Sequence, residues 1–264
     1  MDKIGFIGMG NMGYALMTGC LKYFSKDDVL FFEPDEEKTI GVQRKEGVNP
    51  AESVEDLVKK VKYVVLAIKP QVYEEALEGV GDVVSDDTVI ISLAPGITVE
   101  KVMGLTSADK VIRTMPNTPA MVGAGMTGIC YDEEKFSPDE EMVIDKIFNS
   151  VGKYKKVSED LMNAVVCASG SSPAYVFMFI DSLAKSCEKL GLSKQDAIDF
   201  AAQTVYGSAK LLMETNDDPN SLKERVCSPG GTTIEGVKKL EEFDFDKAID
   251  EATKACYKRC KELE

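Results

Sequence analysis

The sequence contains no histidine among its 264 residues. Imidazole is the side chain that most often acts as a general acid or base near neutral pH, and it is a common zinc ligand. Hydrolases with a Ser–His–Asp triad, proteases with a Cys–His pair and dehydrogenases with a histidine base are therefore excluded. Any catalysis by this chain must use other groups.

Long apolar runs and an excess of basic residues are also missing. The longest apolar runs, such as residues 61–68, are far short of the roughly 18 residues that span a bilayer. Acidic residues outnumber basic residues by 45 to 31, which gives a net charge of −14. Nucleic acids and anionic membrane surfaces need a basic footprint, so we expect neither as a partner.

The seven cysteines form no regular framework. Their odd number, and a start that does not read as a signal peptide, predict free thiols in a reducing, cytoplasmic compartment. Cys256 and Cys260 lie one helical turn apart and could hold a metal ion. Because there is no histidine and no second cysteine pair, the pattern favours two thiols on a terminal helix, and we expect no metal site.

Short apolar strands alternate with helices in the first part of the chain. Helices are predicted over 36–45, with Gly47 as its stop, and over 53–60, with Ser53 as its N-cap. The predicted strands are residues 3–7, 29–32, 63–68, 88–93 and 111–114. This alternation predicts βαβ units and an α/β fold with a doubly wound parallel sheet that is buried on both faces.

The pattern changes after about residue 158, where strand-like runs stop and long helical segments follow. We therefore expect a sheet domain over 1–157 and an all-α domain over 158–264. The helical segment 174–190 is apolar on almost every face, and such a helix must be buried on all sides. A subunit interface is favoured, while a central helix in a bundle of one chain stays open.

A glycine motif follows the first predicted strand and opens a helix. Gly8 allows a tight turn, Gly10 lets the backbone approach a diphosphate, and Gly13 lets the helix lie close to the strand. This order of strand, turn and helix predicts a Rossmann-type dinucleotide site. Glu33 ends the second strand, about 20 residues later, where a carboxylate accepts hydrogen bonds from the ribose of NADH and repels the phosphate of NADPH. Glu33 favours NADH; Lys38 and Arg44, or a purely capping role for Glu33, leave NADPH open.

Two further segments end predicted strands at the edge where open α/β sheets bind ligands. Ala67, Ile68, Lys69 and Pro70 end the third strand, and we interpret them as cofactor contacts rather than a simple strand terminator. The segment 115–119, with two prolines around Asn117, forms a rigid loop after the fifth strand. Rigid loops position ligands, although a structural turn would have the same pattern.

A second glycine-rich segment lies in the predicted helical domain and opens a helix. Small residues and free amides at a helix N-terminus form a site for an anion the size of a carboxylate, and hydroxyl groups add hydrogen-bond donors. The segment consists of Ser228, Pro229, Gly230, Gly231, Thr232 and Thr233. Alone it could equally be a capped loop; together with a nucleotide domain it predicts a substrate pocket.

With these residues in view, the chain resembles the Δ1-pyrroline-5-carboxylate reductases over essentially its whole length. The resemblance is carried by five blocks in order: Ile-Gly-Met-Gly-Asn-Met at 7–12, Ala-Ile-Lys-Pro-Gln at 67–71, Met-Pro-Asn-Thr-Pro at 115–119, Ser-Gly-Ser-Ser-Pro-Ala-Tyr at 169–175 and Ser-Pro-Gly-Gly-Thr-Thr at 228–233. The last block is the family's signature segment.

The resemblance implies a Rossmann domain joined to a helical dimerisation domain that interlocks with its copy, and rings of dimers such as a decamer. It implies reduction of the cyclic imine to L-proline with a hydride from NADPH or NADH. By the same resemblance, Met9, Asn11 and Met12 join the glycines in binding the cofactor. The loop 228–233 binds the substrate carboxylate, and the Thr233 hydroxyl lies near the imine nitrogen.

A cyclic imine can arrive already protonated, so the reaction needs orientation more than a strong acid. We hypothesise that Thr233 hydrogen-bonds the ring nitrogen, that Ser228 and the loop amides hold the carboxylate, and that the Asn117 loop seats the nicotinamide. This chain departs from the family at two positions. Ser172 stands where the family often has glycine, and Glu33 stands where many members have a small or basic residue, which puts the usual NADPH preference in doubt.

Two other functions are weighed against this one. β-Hydroxyacid dehydrogenases share the opening glycine motif, but they carry a catalytic lysine in a Lys-x-x-Asn pattern, and Lys185 is the only lysine in residues 160–185. A nucleotide-sensing regulator would need no substrate-sized anion loop, so the segment 228–233 argues against it.

Overall fold

The computed structural model describes residues 3–263, and their packing divides the chain into two units. The sheet unit contains the described residues up to Ser171 and those from Cys256 onward. The helical unit is Ser172–Ala255. By packing, the division therefore falls later than the predicted boundary at 157/158, because Met162 and Cys167 are buried within the sheet unit.

The sheet unit is built on one sheet of eight strands in the order β3-β2-β1-β4-β5-β6-β7-β8. All neighbouring strands are parallel except the antiparallel pair β6–β7. The strands β1–β8 are Ile4–Ile7, Val29–Phe32, Asn49–Pro50, Tyr63–Leu66, Val89–Ser92, Lys110–Met115, Gly125–Cys130 and Gly152–Lys156. The predicted α/β fold is confirmed, and the sheet gains β3, β7 and β8, which the sequence pattern did not reveal.

Helices connect the strands and form the whole of the helical unit. The helices α1–α12 are Asn11–Cys20, Glu36–Glu46, Val54–Lys60, Tyr73–Ala76, Val99–Thr106, Pro138–Asn149, Met162–Val165, Ser172–Glu188, Lys194–Thr215, Pro219–Val226, Thr232–Glu242 and Phe245–Leu263. The predicted helix signals are confirmed. The Ser53 hydroxyl accepts a hydrogen bond from the Asp56 N–H at 3.1 Å, and Gly47 ends α2 in the left-handed conformation with φ 70°.

The core lies on both faces of the sheet, because alternate residues of each strand point to opposite sides. Along β1, Ile4 and Phe6 belong to one buried cluster and Ile7 belongs to the other. Along β4, Tyr63 and Val65 divide from Val64 and Leu66 in the same way. A sheet buried on both faces holds its strand ends rigidly, and those ends carry the candidate site.

The helical unit buries little of its apolar surface within one chain. Its buried centre is Ala184, Ala197 and Ala201, where α8 packs on α9. Phe177, Met178 and Phe200 are exposed by 63%, 71% and 66%. The central helix of a one-chain bundle, which the sequence left open, is therefore not what α8 forms among the described residues.

The stretch Glu159–Glu188 is long and apolar enough to cross a membrane by length and composition. The sequence contains no uninterrupted apolar run of that length. The stretch 159–188 reaches the required mean hydropathy in spite of its scattered polar residues. A single helix of this kind is weak evidence for a span, and an interface between protein chains demands the same apolar surface.

A buried carboxylate ties three segments of the sheet unit together. Glu140, in the first turn of α6, is 2% exposed. Its Oε1 forms ion pairs with Lys110 Nζ at 2.8 Å and with Lys62 Nζ at 3.0 Å. It also accepts a hydrogen bond from the Ser137 N–H at 2.8 Å. Burial alone would raise the pKa of Glu140, but these donors outweigh burial and lower the pKa to about 2.

Replacing Glu140 with Gln should destabilise the fold in a pH-dependent way. An unfolded glutamate has a pKa of about 4.3, so the charged native carboxylate contributes stability above that pH and loses it as the pH falls toward 2. We expect a loss of about 2–3 kcal/mol for Glu140→Gln at pH 7, measured by urea unfolding, and a difference from wild type that shrinks at acid pH.

Glu141→Gln is the matched control, because its carboxylate is 44% exposed and lies 3.6 Å from Lys156. An exposed pair contributes less than about 1 kcal/mol, so this variant should unfold close to wild type. Equal losses for both variants would contradict a special role for Glu140.

Candidate active site

The glycine loop after β1 is held between the ends of two neighbouring strands. The Gly8 N–H donates to the Phe32 carbonyl oxygen at the end of β2, at 2.8 Å. On the other side, the Ala67 N–H after β4 donates to the Ile7 carbonyl oxygen, also at 2.8 Å. Gly8 has φ 94°, a conformation that side chains disfavour. The loop therefore lies at the carboxyl edge of the sheet, where the strand order reverses.

Gly13 and Gly10 are glycines for opposite reasons. A Cβ atom on Gly13 would fall on the Gly8 carbonyl oxygen and lie 2.8 Å from the Ala67 Cβ, so only glycine lets α1 approach the strands this closely. A Cβ atom on Gly10 would meet no heavy atom within 4 Å. Gly13 is therefore required for the packing of α1 on the strands, whereas Gly10 leaves an unoccupied space at the start of the helix.

The space beside Gly10 suits the diphosphate of a dinucleotide. Gly10 is the N-cap residue of α1 and has no side chain to cap the helix, so among the described residues no side chain bonds to its first N–H groups. A cavity of about 210 Å³ lies there, lined by Met9, Gly10, Asn11, Tyr14 and Met121, with Ala15 and Thr18. The residues present therefore fit a bound dinucleotide.

Glu33 points its carboxylate back at the glycine loop. Its Oε2 accepts a hydrogen bond from the Met9 N–H at 2.8 Å, and its Oε1 accepts one from the Asp35 N–H at 3.2 Å. The side chain is 8% exposed, and Lys38 Nζ lies 3.9 Å from Oε1. Glu33 therefore fastens the loop, and since a carboxylate has about four lone-pair positions, it keeps capacity for a sugar hydroxyl.

The other predicted cofactor residues divide into backbone and side-chain roles. The Met9 side chain is buried in the core and the half-buried Met12 side chain packs against it, so it is mainly their backbone groups that face a ligand. Asn11 is exposed and lines the cavity. Ala67 packs beside Gly13, and Ile68 packs beside Gly8.

The segment after β4 ends in an exposed cation. Pro70 opens a short helical turn, and the exposed Lys69 precedes it as the cap residue. Within residues 3–263 the Lys69 ammonium group forms no ion pair, so it is free to meet a ligand phosphate at this edge.

Asn117 ties its own loop to two other segments of the sheet unit. Its Nδ2 donates to the Ser169 carbonyl oxygen at 3.1 Å, and its Oδ1 accepts from the Met126 N–H at 2.9 Å. Both ends of the amide are engaged with the backbone, so Asn117 fixes the loop, and its NH2 group retains one further donor for a ligand. Met121, farther along the same loop, lines the cavity beside Gly10.

The structure thus assembles Gly8–Met12, Glu33 and Ala67–Pro70 at one edge of the sheet unit. Sequence reasoning missed Tyr14, Thr18 and Met121 as lining residues. Tyr14 and Thr18 follow Asn11 at helical spacing, and that periodicity is a signal that could have found them. Nothing in the local sequence pattern indicated Met121.

The glycine-rich loop of the helical unit opens α11. Gly231 is its N-cap and makes no side-chain capping hydrogen bond, and Gly230 adopts φ 71°. Ser228, Thr232 and Thr233 are exposed, and among the described residues their hydroxyl groups have no hydrogen-bond partner. The loop therefore presents free hydroxyls beside a free helix N-terminus, the features that favour a small anion.

Comparison with protein families finds two matches along the chain. Residues 159–263 match a family model described as pyrroline-5-carboxylate reductase dimerisation. Residues 3–96 match one described as NADP oxidoreductase, coenzyme F420-dependent. The second match covers the glycine loop, Glu33 and Lys69.

Individual relatives match from end to end. A pyrroline-5-carboxylate reductase of Escherichia coli is 38% identical, over 99% of this chain and 98% of its own. The structure of one from Coxiella burnetii has a TM-score of 0.92 at 32% identity, covering 100% of this chain and 98% of that one. The Plasmodium falciparum enzyme with NADP bound has a TM-score of 0.88 at 28% identity, covering 99% and 98%.

Gly10 and Gly13 provide a test of the dinucleotide site. A methyl group at Gly10 projects into open space, so Gly10→Ala should keep stability within about 1 kcal/mol while weakening dinucleotide binding about 10- to 100-fold, because it intrudes on the ligand. Gly13→Ala should instead lower the melting temperature. Fluorescence titration with NADH and NADPH and thermal unfolding check both, and undiminished binding by Gly10→Ala would contradict the site.

Proposed function

Because the chain belongs to the pyrroline-5-carboxylate reductase family, we propose that it reduces Δ1-pyrroline-5-carboxylate to L-proline with NAD(P)H. The observation that carries this proposal is the open space over Gly10 at the uncovered first turn of α1. The free hydroxyl loop that opens α11 supports a carboxylate-bearing substrate.

The sheet unit binds the cofactor through its own backbone and few side chains. The first N–H groups of α1 receive the diphosphate, Glu33 accepts from the ribose, and Lys69 offsets phosphate charge at the same edge. Asn117 acts as a positioning residue, because it holds its loop to Ser169 and Met126. When bound, the reduced nicotinamide supplies the hydride.

The reaction also needs a proton on the ring nitrogen, and the chain has no histidine to supply one. A cyclic imine that binds as the iminium brings this proton with it. The chain then has only to orient the C=N bond, with the reacting atoms about 3–3.5 Å apart, and to keep the charged nitrogen hydrogen-bonded.

The loop 228–233 is suited to that task. Ser228, the backbone amides of Gly230 and Thr232, and the N-terminal dipole of α11 bind the substrate carboxylate. Gly231 shapes the loop, because its N–H donates to the Ser228 carbonyl oxygen at 3.0 Å. Thr233, the second residue of α11, hydrogen-bonds the ring nitrogen through its hydroxyl. We assign Thr233 as the catalytic residue on this basis.

Steady-state reduction of pyrroline-5-carboxylate, run in parallel with NADH and NADPH, tests the function directly. Turnover with either cofactor supports the reductase. Absence of turnover with both would contradict it, and cofactor binding without turnover of any cyclic imino acid would favour a nucleotide-sensing protein instead.

Glu33 should set the cofactor preference toward NADH. Glu33→Gln keeps an oxygen that accepts from the Met9 N–H but removes the negative charge that opposes a 2′-phosphate. We expect the ratio of kcat/KM for NADPH over that for NADH to rise at least about 10-fold, since juxtaposed like charges cost more than 1.4 kcal/mol.

Glu36→Gln is the control for Glu33, because it removes an exposed carboxylate from the first turn of the same helix, α2. Its cofactor ratio should match that of wild type. An unchanged ratio in Glu33→Gln would reduce Glu33 to a cap of the glycine loop.

Thr233 is tested by paired substitutions. Thr233→Ala should lower kcat by about 100-fold, because the protonated ring nitrogen loses its hydrogen-bond partner, whereas Thr233→Ser should retain most activity. Since Thr233 is exposed, neither change should move the melting temperature. An unchanged kcat in Thr233→Ala would remove this residue from the mechanism.

We propose that two copies pair through the exposed apolar faces of α8 and α9. Phe177, Met178 and Phe200 lie there, and contiguous exposed apolar side chains mark interfaces. Rings of such dimers, for example a decamer, form part of the same proposal. Light scattering measures the mass of the assembly, and a monomer at working concentrations would contradict the pairing.

We also propose a cytoplasmic location. Among the described residues no two cysteines form a disulfide, which suits a reducing compartment. Recovery of the protein from an oxidising compartment in cell fractionation would contradict this location.

A further inference from the structure

Three cysteines from distant parts of the chain meet in the sheet unit. Cys167 lies in the π-helical turn Val166–Gly170, and Cys256 and Cys260 lie one turn apart near the end of α12. Their sulfur atoms all lie within 4.8 Å of one another. Cys167 is buried, and the other two are half-buried.

This spacing is close to what one metal ion requires. A zinc–sulfur bond is about 2.3 Å, so three thiolates on one ion hold their sulfurs roughly 3.8–4.0 Å apart. Small side-chain rotations close the remaining difference. The turn that carries Cys167 is itself a π-helical insertion, a feature found frequently at functional sites.

Two of the thiols, Cys256 and Cys260, border a cavity that shares no lining residue with the cavity beside Gly10. Its volume is about 320 Å³, and Cys256, Cys260, Ser171, Arg259 and Gly96 are among its lining residues. Of the segments assigned above to the cofactor or the substrate, the cavity touches only the loop 115–119, through Met115. The Cys256 thiol donates to the Ser171 hydroxyl at 3.3 Å. The Ser171 Oγ is therefore an additional oxygen ligand next to Cys256 Sγ.

We propose that Cys167, Cys256 and Cys260 bind one thiophilic cation with a filled d shell, Zn²⁺ or Cu⁺, through three thiolates. Three sulfur ligands without a nitrogen ligand select soft ions over Mg²⁺ or Ca²⁺. The Ser171 hydroxyl or a cavity water completes a tetrahedral zinc site, whereas Cu⁺ accepts the three sulfurs alone.

Binding exchanges protons for the cation. Burial, together with smaller contributions from the adjacent Cys256 and Cys260 thiols, raises the pKa of Cys167 to about 12. Each S–H bond that breaks gives one S–metal bond and one proton to solvent.

Metal titration of the full-length, reduced chain without oxygen tests the site. Zn²⁺ and, in a separate arm, Cu⁺ are added in competition with a chromophoric chelator, and we expect one equivalent bound per chain in at least one arm. The two arms decide which ion the site prefers. Co²⁺ in place of Zn²⁺ should give thiolate-to-metal charge-transfer absorption in the near ultraviolet.

Substitutions assign the ligands. Cys256→Ser and Cys260→Ser should each weaken binding by more than about 100-fold, since even changes around a metal's ligands cost 10- to 100-fold. Cys187→Ser is the matched control, because Cys187 is also half-buried but lies outside the cluster. Its affinity should equal that of wild type.

Failure to bind one equivalent in both arms overturns the proposal, as does full affinity in Cys256→Ser and Cys260→Ser. Thermal unfolding of the metal-free variants shows that any loss comes from the ligand and not from misfolding. The measurement needs no substrate or nicotinamide, so its outcome is independent of the reductase assay.

Discussion

The close approach of α1 to the strand ends at Gly13 is the constraint on which the site depends. With no room for a Cβ atom between Gly8 and Ala67, the helix sits directly on the turn that feeds it. Its first N–H groups then face outward at the edge of the sheet instead of being covered. Glu33 reinforces this arrangement by accepting from the Met9 N–H, which couples the end of β2 to the same turn.

Features set by local residue patterns were predictable, and features set by pairing were not. The strands β1, β2, β4, β5 and β6 are short apolar runs, and their sequence reveals them because both faces are buried. β8 reads Gly-Lys-Tyr-Lys-Lys and β7 contains two glycines, so neither has an apolar run. These two segments form strands because β7 pairs with β6 and β8 pairs with β7. The lysines of β8 are typical of a strand at the edge of a sheet.

In the candidate site, too, the features set by local sequence were predictable and those set by contacts between distant segments were not. The glycine spacing, Glu33 and the segment ending in Lys69 lie within short motifs whose chemistry is legible in sequence. The engagement of Asn117 by Ser169 and Met126 joins segments far apart in the chain, and so does the meeting of Cys167 with Cys256 and Cys260. In the sequence, Cys256 and Cys260 lacked further metal ligands nearby, because Cys167 is distant along the chain and approaches them only in the folded structure.

The apolar faces of α8 and α9 have a consequence for how the protein folds in the cell. Under the proposed pairing, folding of the chain is coupled to its assembly. The apparent free energy of unfolding therefore rises with protein concentration by mass action. A newly made chain exposes Phe177, Met178 and Phe200 until it meets a copy. The rate of synthesis, and not the sequence alone, then governs how much chain reaches its partner before it aggregates.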